Sequence, residues 1–209
     1  MSIHYIVPAR KGSKGFPFKN RTLLHHLDYS DIKNDLIVYT DDESIKEDCL
    51  LSGISYRDRD KDICLDNTSL KTTMERYIVS YNLNNEDTIV ILYLTYPQRT
   101  SKDIKKALSF FVKSKAKSLL CKKECKTSPF LMMLEKEEGR GDQLVAHDYY
   151  RRQDYPTCFE ISHFMCIFKV FELGNLNSNM YNTDTIFYPI NDKVDVDEKE
   201  DYETYKNNS

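Results

Sequence analysis

No apolar run in this 209-residue chain approaches the length needed to cross a bilayer, so no membrane-spanning helix is expected. The N-terminus lacks a basic region followed by a long apolar stretch. No signal peptide is therefore expected, and a cytoplasmic protein with reduced thiols is. An excess of one charge is also missing: 30 Lys and Arg stand against 33 Asp and Glu, interspersed rather than blocked. That balance excludes a general nucleic-acid binder. The Lys-rich stretch 113–126 is broken by Leu119, Leu120 and Cys121 and reads as the solvated flank of a strand. Among six cysteines, Cys121 and Cys125 have no second Cys or His pair at zinc-like spacing, so they are expected to bind no metal. His25 and His26 read as capping or packing residues. Repeats, low-complexity segments and interdomain linkers are absent as well. The chain is read as one domain over residues 1–209, long enough to bury a substantial core.

Two familiar phosphate-binding patterns are missing. Neither G-x-x-x-x-G-K-[ST] nor G-x-G-x-x-G occurs. What the chain has instead is PARKGSKGFPFKN at residues 8–20, directly after the apolar run Ile3–Val7. Gly12 and Gly15 let the backbone curl and aim N–H groups at a ligand. Arg10, Lys14 and Lys19 add positive charge at spacings that a curled loop brings together, and Pro8 and Pro17 stiffen the segment. The ligand that suits such a loop is a polyphosphate.

Strand and helix patterns alternate along the chain. Strands are predicted over Ile3–Val7, Leu36–Thr40, Ile54–Tyr56, Thr88–Leu94 and Lys117–Cys121. Helices are predicted over Leu23–Leu27, Glu43–Leu51, Thr68–Tyr81 and Ser101–Lys113, the last capped by Ser101. This alternation gives an α/β fold with a mainly parallel sheet flanked by helices. Ligands of such sheets bind beyond the carboxyl ends of the strands. The segments Pro8–Asn20, Thr40–Asp42 and Thr95–Thr100 each follow a strand, so one sheet edge gathers all three. About fifteen residues separate Asn20 from Leu36, a short crossover that leaves one face thinly covered. Residues 122–160 break the pattern, with GRGD at 139–142 as an exposed turn. Asp41 and Asp42 are expected to cap the helix after the second strand. A final helix is expected after Asp201, fraying over Lys206–Ser209.

The loop at 8–20 resembles the N-terminal signature of the acylneuraminate cytidylyltransferases, the CMP-sialic acid synthetase group, approximately [L/P]-A-R-x-x-S-K-G-x-P-x-K-N. Further blocks follow in that family's order: VYTDDESI (38–45), LYLTYPQRT (92–100), RRQDYP (151–156) and VDVDEKEDY (194–202). The resemblance spans nearly the whole chain. It implies a Rossmann-like nucleotidyltransferase fold, with residues 122–171 including a dimerisation excursion and a homodimer as the assembly. It also implies transfer of CMP from CTP to a small acidic sugar, with release of pyrophosphate and help from Mg²⁺.

The resemblance implies roles for particular residues. Lys19 would lie nearest the α-phosphate, with Arg10 and Lys14 towards the pyrophosphate end, and Gly12 and Ser13 would complete the loop. Asn20 would meet the nucleoside. Arg59, in RDKDICLD (59–66), would reach the base or ribose, with Arg57 as its rival. Asp195 and Asp197 would hold Mg²⁺, since residues two apart in a strand face one side. Tyr93, Thr95, Arg152 and Gln153 would line the acceptor side, where an arginine fork suits a carboxylate. Tyr149, Tyr150 and Tyr155 are expected to pack rather than stack on a sugar.

The acceptor side departs from the family pattern. Tyr93 replaces a Gln, Leu94 a Pro and Tyr96 a Ser, while Ser162–Ile167 replaces N-G-A-I-Y-I. These changes allow a 2-keto-3-deoxy acid other than ordinary sialic acid, or another small anion such as a phosphonate, as acceptor. A nucleotide-binding relative without catalysis is a further alternative. An RNA-associated module is the rival from another class, and the near-neutral charge weighs against it.

Overall fold

Strands in the middle of this chain are apolar without alternation because helices bury both of their faces. The computed structural model describes residues 2–191 and 193–207. The strands are β1 (Ile3–Ala9), β2 (Leu36–Thr40), β3 (Ser55–Asp58), β4 (Thr88–Ile91), β5 (Ser118–Glu124), β6 (Met133–Glu135), β7 (Gly141–Gln143), β8 (Phe159–Lys169) and β9 (Ile186–Pro189). The helices are α1 (Lys19–Leu24), α2 (Glu43–Ser52), α3 (Leu70–Ser80), α4 (Ser101–Ser114) and α5 (Lys199–Asn207). Of the end expected to fray, Lys206 and Asn207 are helical in α5, and Asn208 and Ser209 lie outside the described residues.

A seven-stranded sheet runs in the order β3-β2-β1-β4-β8-β5-β9. Pairings β1–β2, β1–β4, β2–β3 and β5–β9 are parallel, and β8 enters antiparallel between β4 and β5. Successive residues feed opposite faces. Val7, Val38, Val90, Leu119 and Ile167 pack under α1, α2 and α4, whereas Ile6, Tyr39, Ile89, Leu120 and Cys166 pack under α3 and the segment after β8. Among the described residues, no helix is long and apolar enough to cross a membrane.

The short first crossover is repaired from elsewhere. Leu23, Leu24, Leu27 and Ile32 are all buried, although α1 has only six residues. Arg21 grips Asp48 of α2 with both Nε (2.7 Å) and Nη2 (3.0 Å). From the far end of the chain, α5 lays Tyr202 and Tyr205 against His26, whose Nε2 lies 3.0 Å from the Tyr202 hydroxyl. His26 is thus a packing residue, as its sequence context suggests.

One cap differs from its expectation. Thr100, not Ser101, caps α4: its hydroxyl accepts the Asp103 N–H while the Asp103 carboxylate accepts the Thr100 N–H. Ser101 begins the helix and donates from N–H and hydroxyl to Asp28. The crossover thereby supplies a second carboxylate to the α4 N-terminus, and the Ser101 N–H holds the Asp28 carboxyl below the usual range. Asp42 caps α2 as expected, accepting the Ser44 N–H at 3.0 Å.

Residues 125–158 leave the sheet as an excursion. Its β6–β7 hairpin turns through Glu137–Gly139 and Arg140. Phe130, His147, Tyr149 and Tyr155 pack together inside it, while Tyr150 stays exposed.

Asp87, at the entrance to β4, accepts the Ser2 N–H at 2.7 Å and meets His4 Nε2 at 3.2 Å. These contacts, the Ser2 N–H foremost, lower its pKa from 3.8 to about 2. A depressed carboxylate stabilises the fold above its unfolded pKa and loses that contribution as pH falls through its folded one. Asp87→Asn is therefore expected to be less stable than wild type at neutral pH, with the difference shrinking as pH falls from 3.8 towards about 2. Melting curves recorded across that range check this, and a gap that does not depend on pH would refute it.

Candidate active site

The loop after β1 is held open by its own backbone before any ligand arrives. Gly12 takes φ +82°, and Phe18 takes φ +59° as it starts α1. Asp41, expected to cap α2 with its neighbour, instead accepts the Lys11 N–H at Oδ1 (2.8 Å) and clamps the loop, and Asp42 caps the helix. Asn20 Nδ2 donates to the Arg10 carbonyl at 2.8 Å, closing the loop from the other side. Arg10 Nη1 donates inward to the Gly12 carbonyl at 3.2 Å.

Each of the three expected cations rests on a carboxylate. Arg10 Nη2 lies 2.7 Å from Asp66 Oδ1, and Lys14 Nζ pairs with the other oxygen of the same side chain. Lys19 Nζ lies 2.9 Å from Asp197 Oδ1, joining the first loop to the last segment of the chain. Lys14, then Arg10, holds the Asp66 carboxyl below the usual carboxylate range. Asp66 and Asp197 are both exposed, so water screens each pair and leaves it open to exchange for a stronger anion.

Two adjoining cavities extend from this loop. The first, about 310 Å³, is lined by Arg10, Lys14, Lys19 and Asn20 on one side and by Arg59 and Thr73 on the other. The second, about 330 Å³, is lined by His163, Asn179, Asp195 and Asp197. Tyr93, Thr95 and Leu70 belong to the walls of both, which makes them one cleft. The cleft lies beyond the carboxyl ends of β1 and β4, where open α/β sheets bind ligands.

Between the two rival arginines the geometry separates clearly. Arg59 is buried on the cleft wall, where Nη2 donates to Thr73 Oγ1 at 3.0 Å and Nε has no partner. Burial lowers its pKa from the usual arginine value. Arg57 lies over the Tyr81 ring at 3.9 Å and lines neither cavity.

Asp195 and Asp197 share the second cavity, but not because they lie on a strand. Residues 193–197 are irregular, corrected from the expected strand. The segment is extended by two outside bonds: the Val196 N–H reaches the Thr95 carbonyl at 2.7 Å, and the Val194 N–H reaches Gln98 Oε1 at 3.0 Å. Buried Val196 faces the core between the two carboxylates. Tyr96 donates to Asp195 Oδ2 at 2.8 Å and accepts from Ser162 at 3.0 Å. Asp195 Oδ1 is buried without a partner. An orphaned carboxylate oxygen beside a second carboxylate suits a hard divalent cation, which takes oxygen ligands and keeps waters and phosphate oxygens for the rest. Among the described residues no cluster of three or more His, Cys, Asp or Glu side chains stands ready for a metal. Any Mg²⁺ there would depend on substrate oxygens.

Other residues fall into place differently. The Tyr93 hydroxyl is buried without a partner, and its ring lies 5.3 Å from that of His163. His163 escaped the residue-level reading. Its signal was the departure of residues 162–167 from the family pattern. Arg152 and Gln153 lie on a short turn, Arg152–Asp154, in the excursion. Arg152 lines a separate cavity and Gln153 is exposed, so a single chain does not bring either to the cleft. Exposed Glu198 lies over the loop: a Cβ on Gly15 would stand 2.3 Å from its carboxylate oxygens, a contact that this flexible side chain could relieve by moving.

Comparison with known proteins matches residues 4–206 to the cytidylyltransferase family. The N-acylneuraminate cytidylyltransferase of Streptococcus agalactiae serotype V is 32% identical over 162 residues, which covers 71% of this chain and 39% of that protein. The chain thus spans well under half the length of those relatives. Post-translational flagellin modification protein B of Campylobacter coli is 26% identical over 209 residues, covering 93% of this chain and 89% of that one. Among solved structures, CMP:2-keto-3-deoxy-manno-octonic acid synthetase complexed with CTP superposes with a TM-score of 0.68 at 11% identity, covering 99% of this chain and 98% of that one. The 4-diphosphocytidyl-2C-methyl-D-erythritol synthase of Anaerococcus prevotii gives 0.67 at 13%, covering 99% and 95%. These structural likenesses establish the fold.

Two outcomes follow from the geometry. Asp66→Asn removes the internal anion that competes for Arg10 and Lys14, so inorganic tripolyphosphate should bind about twofold to fivefold more tightly by calorimetry. Weaker or unchanged binding would mean the loop is not the anion site. Tyr96→Phe strands Asp195 and Ser162 in a dry wall, costing about 1–3 kcal/mol. The melting temperature should fall by about 2–4 °C for each kcal/mol.

Proposed function

The chain belongs to the cytidylyltransferase family, and from that premise we propose that it transfers CMP from CTP to a small acidic sugar of the nonulosonic or 2-keto-3-deoxy acid class, releasing pyrophosphate. The observation that carries this reading is the shared cleft: Lys19 of the first loop and Asp197 of the last segment meet at 2.9 Å, with Asp195 beside them.

In this reading the triphosphate displaces Asp66 and Asp197 from the loop cations. Arg10 and Lys14 take the β- and γ-phosphates, and Lys19 takes charge developing on the α-phosphate. The N–H groups of Gly12 and Ser13 add neutral donors to the same oxygens. Arg59, Thr73 and Asn20 line the part of the cleft left for the nucleoside. Tyr93 and Thr95, on the wall common to both cavities, orient the acceptor so that its hydroxyl lies in line with the bond to the leaving pyrophosphate. Asp195 and Asp197 are the residues that would hold Mg²⁺, which when bound offsets phosphate charge. Ser162 and Tyr96 keep Asp195 turned so that Oδ1 remains free.

The acceptor carboxylate needs a cation that the second cavity lacks, and Arg152 and Gln153 lie on the excursion. A homodimer in which the excursion of one chain meets the cleft of another supplies it. Leu131, Met133, Leu134 and Ile161 are exposed on that excursion or at its root, and they form a surface that such a contact would cover.

Incubation of the protein with CTP, Mg²⁺ and a panel of nonulosonic, 2-keto-3-deoxy and phosphonate acceptors, followed by pyrophosphate detection, tests the reading. Release is expected with at least one acid sugar, and Lys19→Ala should lower kcat/KM by about 10²–10³-fold. The absence of both CTP binding and pyrophosphate release with every acceptor would end the proposal.

A further inference from the structure

Two cysteines face each other where the excursion leaves the sheet. Cys125 follows β5 and Cys158 precedes β8. The ladder between these strands runs from Cys121 opposite Ser162 to Glu124 opposite Phe159. The next rung sets Cys125 opposite Cys158, and the Cys125 N–H donates to the Cys158 carbonyl at 3.2 Å. Residues directly opposite on antiparallel strands project to one face with Cα atoms about 4.5–5.5 Å apart. A disulfide accepts Cα separations of about 4.4–6.8 Å, so the backbone is already within range.

Access also distinguishes this pair. Cys49, Cys121 and Cys166 are buried, whereas Cys125 and Cys158 are partly exposed. Both line one cavity of about 430 Å³, with Arg152 and Tyr155 in its wall. The Cys158 thiol makes a weak contact to the Pro156 carbonyl at 3.4 Å. Burial, then Glu160 and the facing Cys158, push the Cys125 thiol up from its ordinary value. The remaining partly exposed thiol, Cys64, lies beyond the edge strand β3, where it donates to the Asp60 carbonyl.

We propose that Cys125 and Cys158 form a dithiol modification site that exchanges with low-molecular-weight disulfides and closes into a reversible bond across the neck of the excursion. One thiolate attacks a sulfur of the small disulfide. That S–S bond breaks, a mixed disulfide forms, and one small thiolate leaves. The second cysteine thiolate then attacks the protein sulfur of the mixed disulfide and expels the other small thiolate. The pair loses two electrons and two protons, and the small disulfide becomes two thiols. The new bond staples both ends of segment 126–157, which carries Arg152. This inference does not depend on the cytidylyltransferase reading.

The test treats the folded, reduced full chain with oxidised glutathione, alkylates the remaining thiols and maps peptides without reduction. One linked peptide pair joining Cys125 to Cys158 is expected. Proteolysis within 126–157 should slow severalfold, and dithiothreitol should reverse both effects. Cys125→Ser and Cys158→Ser should each leave a single glutathione adduct and no slowing, while Cys64→Ser should behave as wild type. Separate adducts on both wild-type cysteines, a bond to Cys64 or to a second chain, or no loss of thiols would overturn the proposal. Unchanged proteolysis despite the bond would overturn the role of the neck.

Discussion

A chain of 209 residues brings its nineteenth and its 197th residues together in the pair between Lys19 and Asp197. The pair itself is weak, because Asp197 is largely exposed to water. Its importance is positional. Lys19 opens α1 after a loop locked by Asp41 and Asn20, and Asp197 ends a segment locked to Thr95 and Gln98. Backbone hydrogen bonds place the two charges, and the charges merely settle against each other. A ligand with more negative charge can therefore separate them without unfolding what positions them.

The same economy appears in the polar wall of the cleft. Tyr96 serves Ser162 and Asp195 with one hydroxyl and leaves one buried oxygen of Asp195 unsatisfied. Tyr93 and Arg59 also keep unpaired polar atoms at the cleft. Folding alone gains nothing from such atoms, since each unmade bond in a dry site costs about 1–3 kcal/mol. Asp195, Tyr93 and Arg59 line the cleft, where a polar ligand could reach them, while Arg57, Tyr77 and Arg99 carry such atoms away from it. Arg99 shows the structural counterpart. It is wholly buried, ties the Tyr93 and Phe164 carbonyls together with Nη1, and is pushed down to about 10 by burial. In that position it braces the floor on which Tyr93 stands.

Much of the fold was legible because its signals are local. Unalternating runs such as Thr88–Ile91 declare a strand buried on both faces, and Asp42 before Glu43 declares a helix start. The α4 cap was misread by one residue because Thr100 and Ser101 are equally good caps by type, and only the reciprocal bond with Asp103 chooses between them. The strand expected at 193–197 failed for a similar reason. Alternating Val and Asp look like a strand, yet the hydrogen bonds of that segment go to a loop and a side chain.

The amino-acid order by itself supplied the candidate side chains: a glycine-spaced basic loop after the first strand, and an alternating aspartate pair near the end. Those choices are local, since loop curvature and charge type follow from residues a few positions apart. Tertiary structure alone decided which carboxylate each cation meets, that Arg59 and not Arg57 reaches the cleft, and that Arg152 and Gln153 stand away from it. Each of these depends on contacts between segments distant in the chain, where the energy differences are small and the geometry of the packed sheet does the choosing.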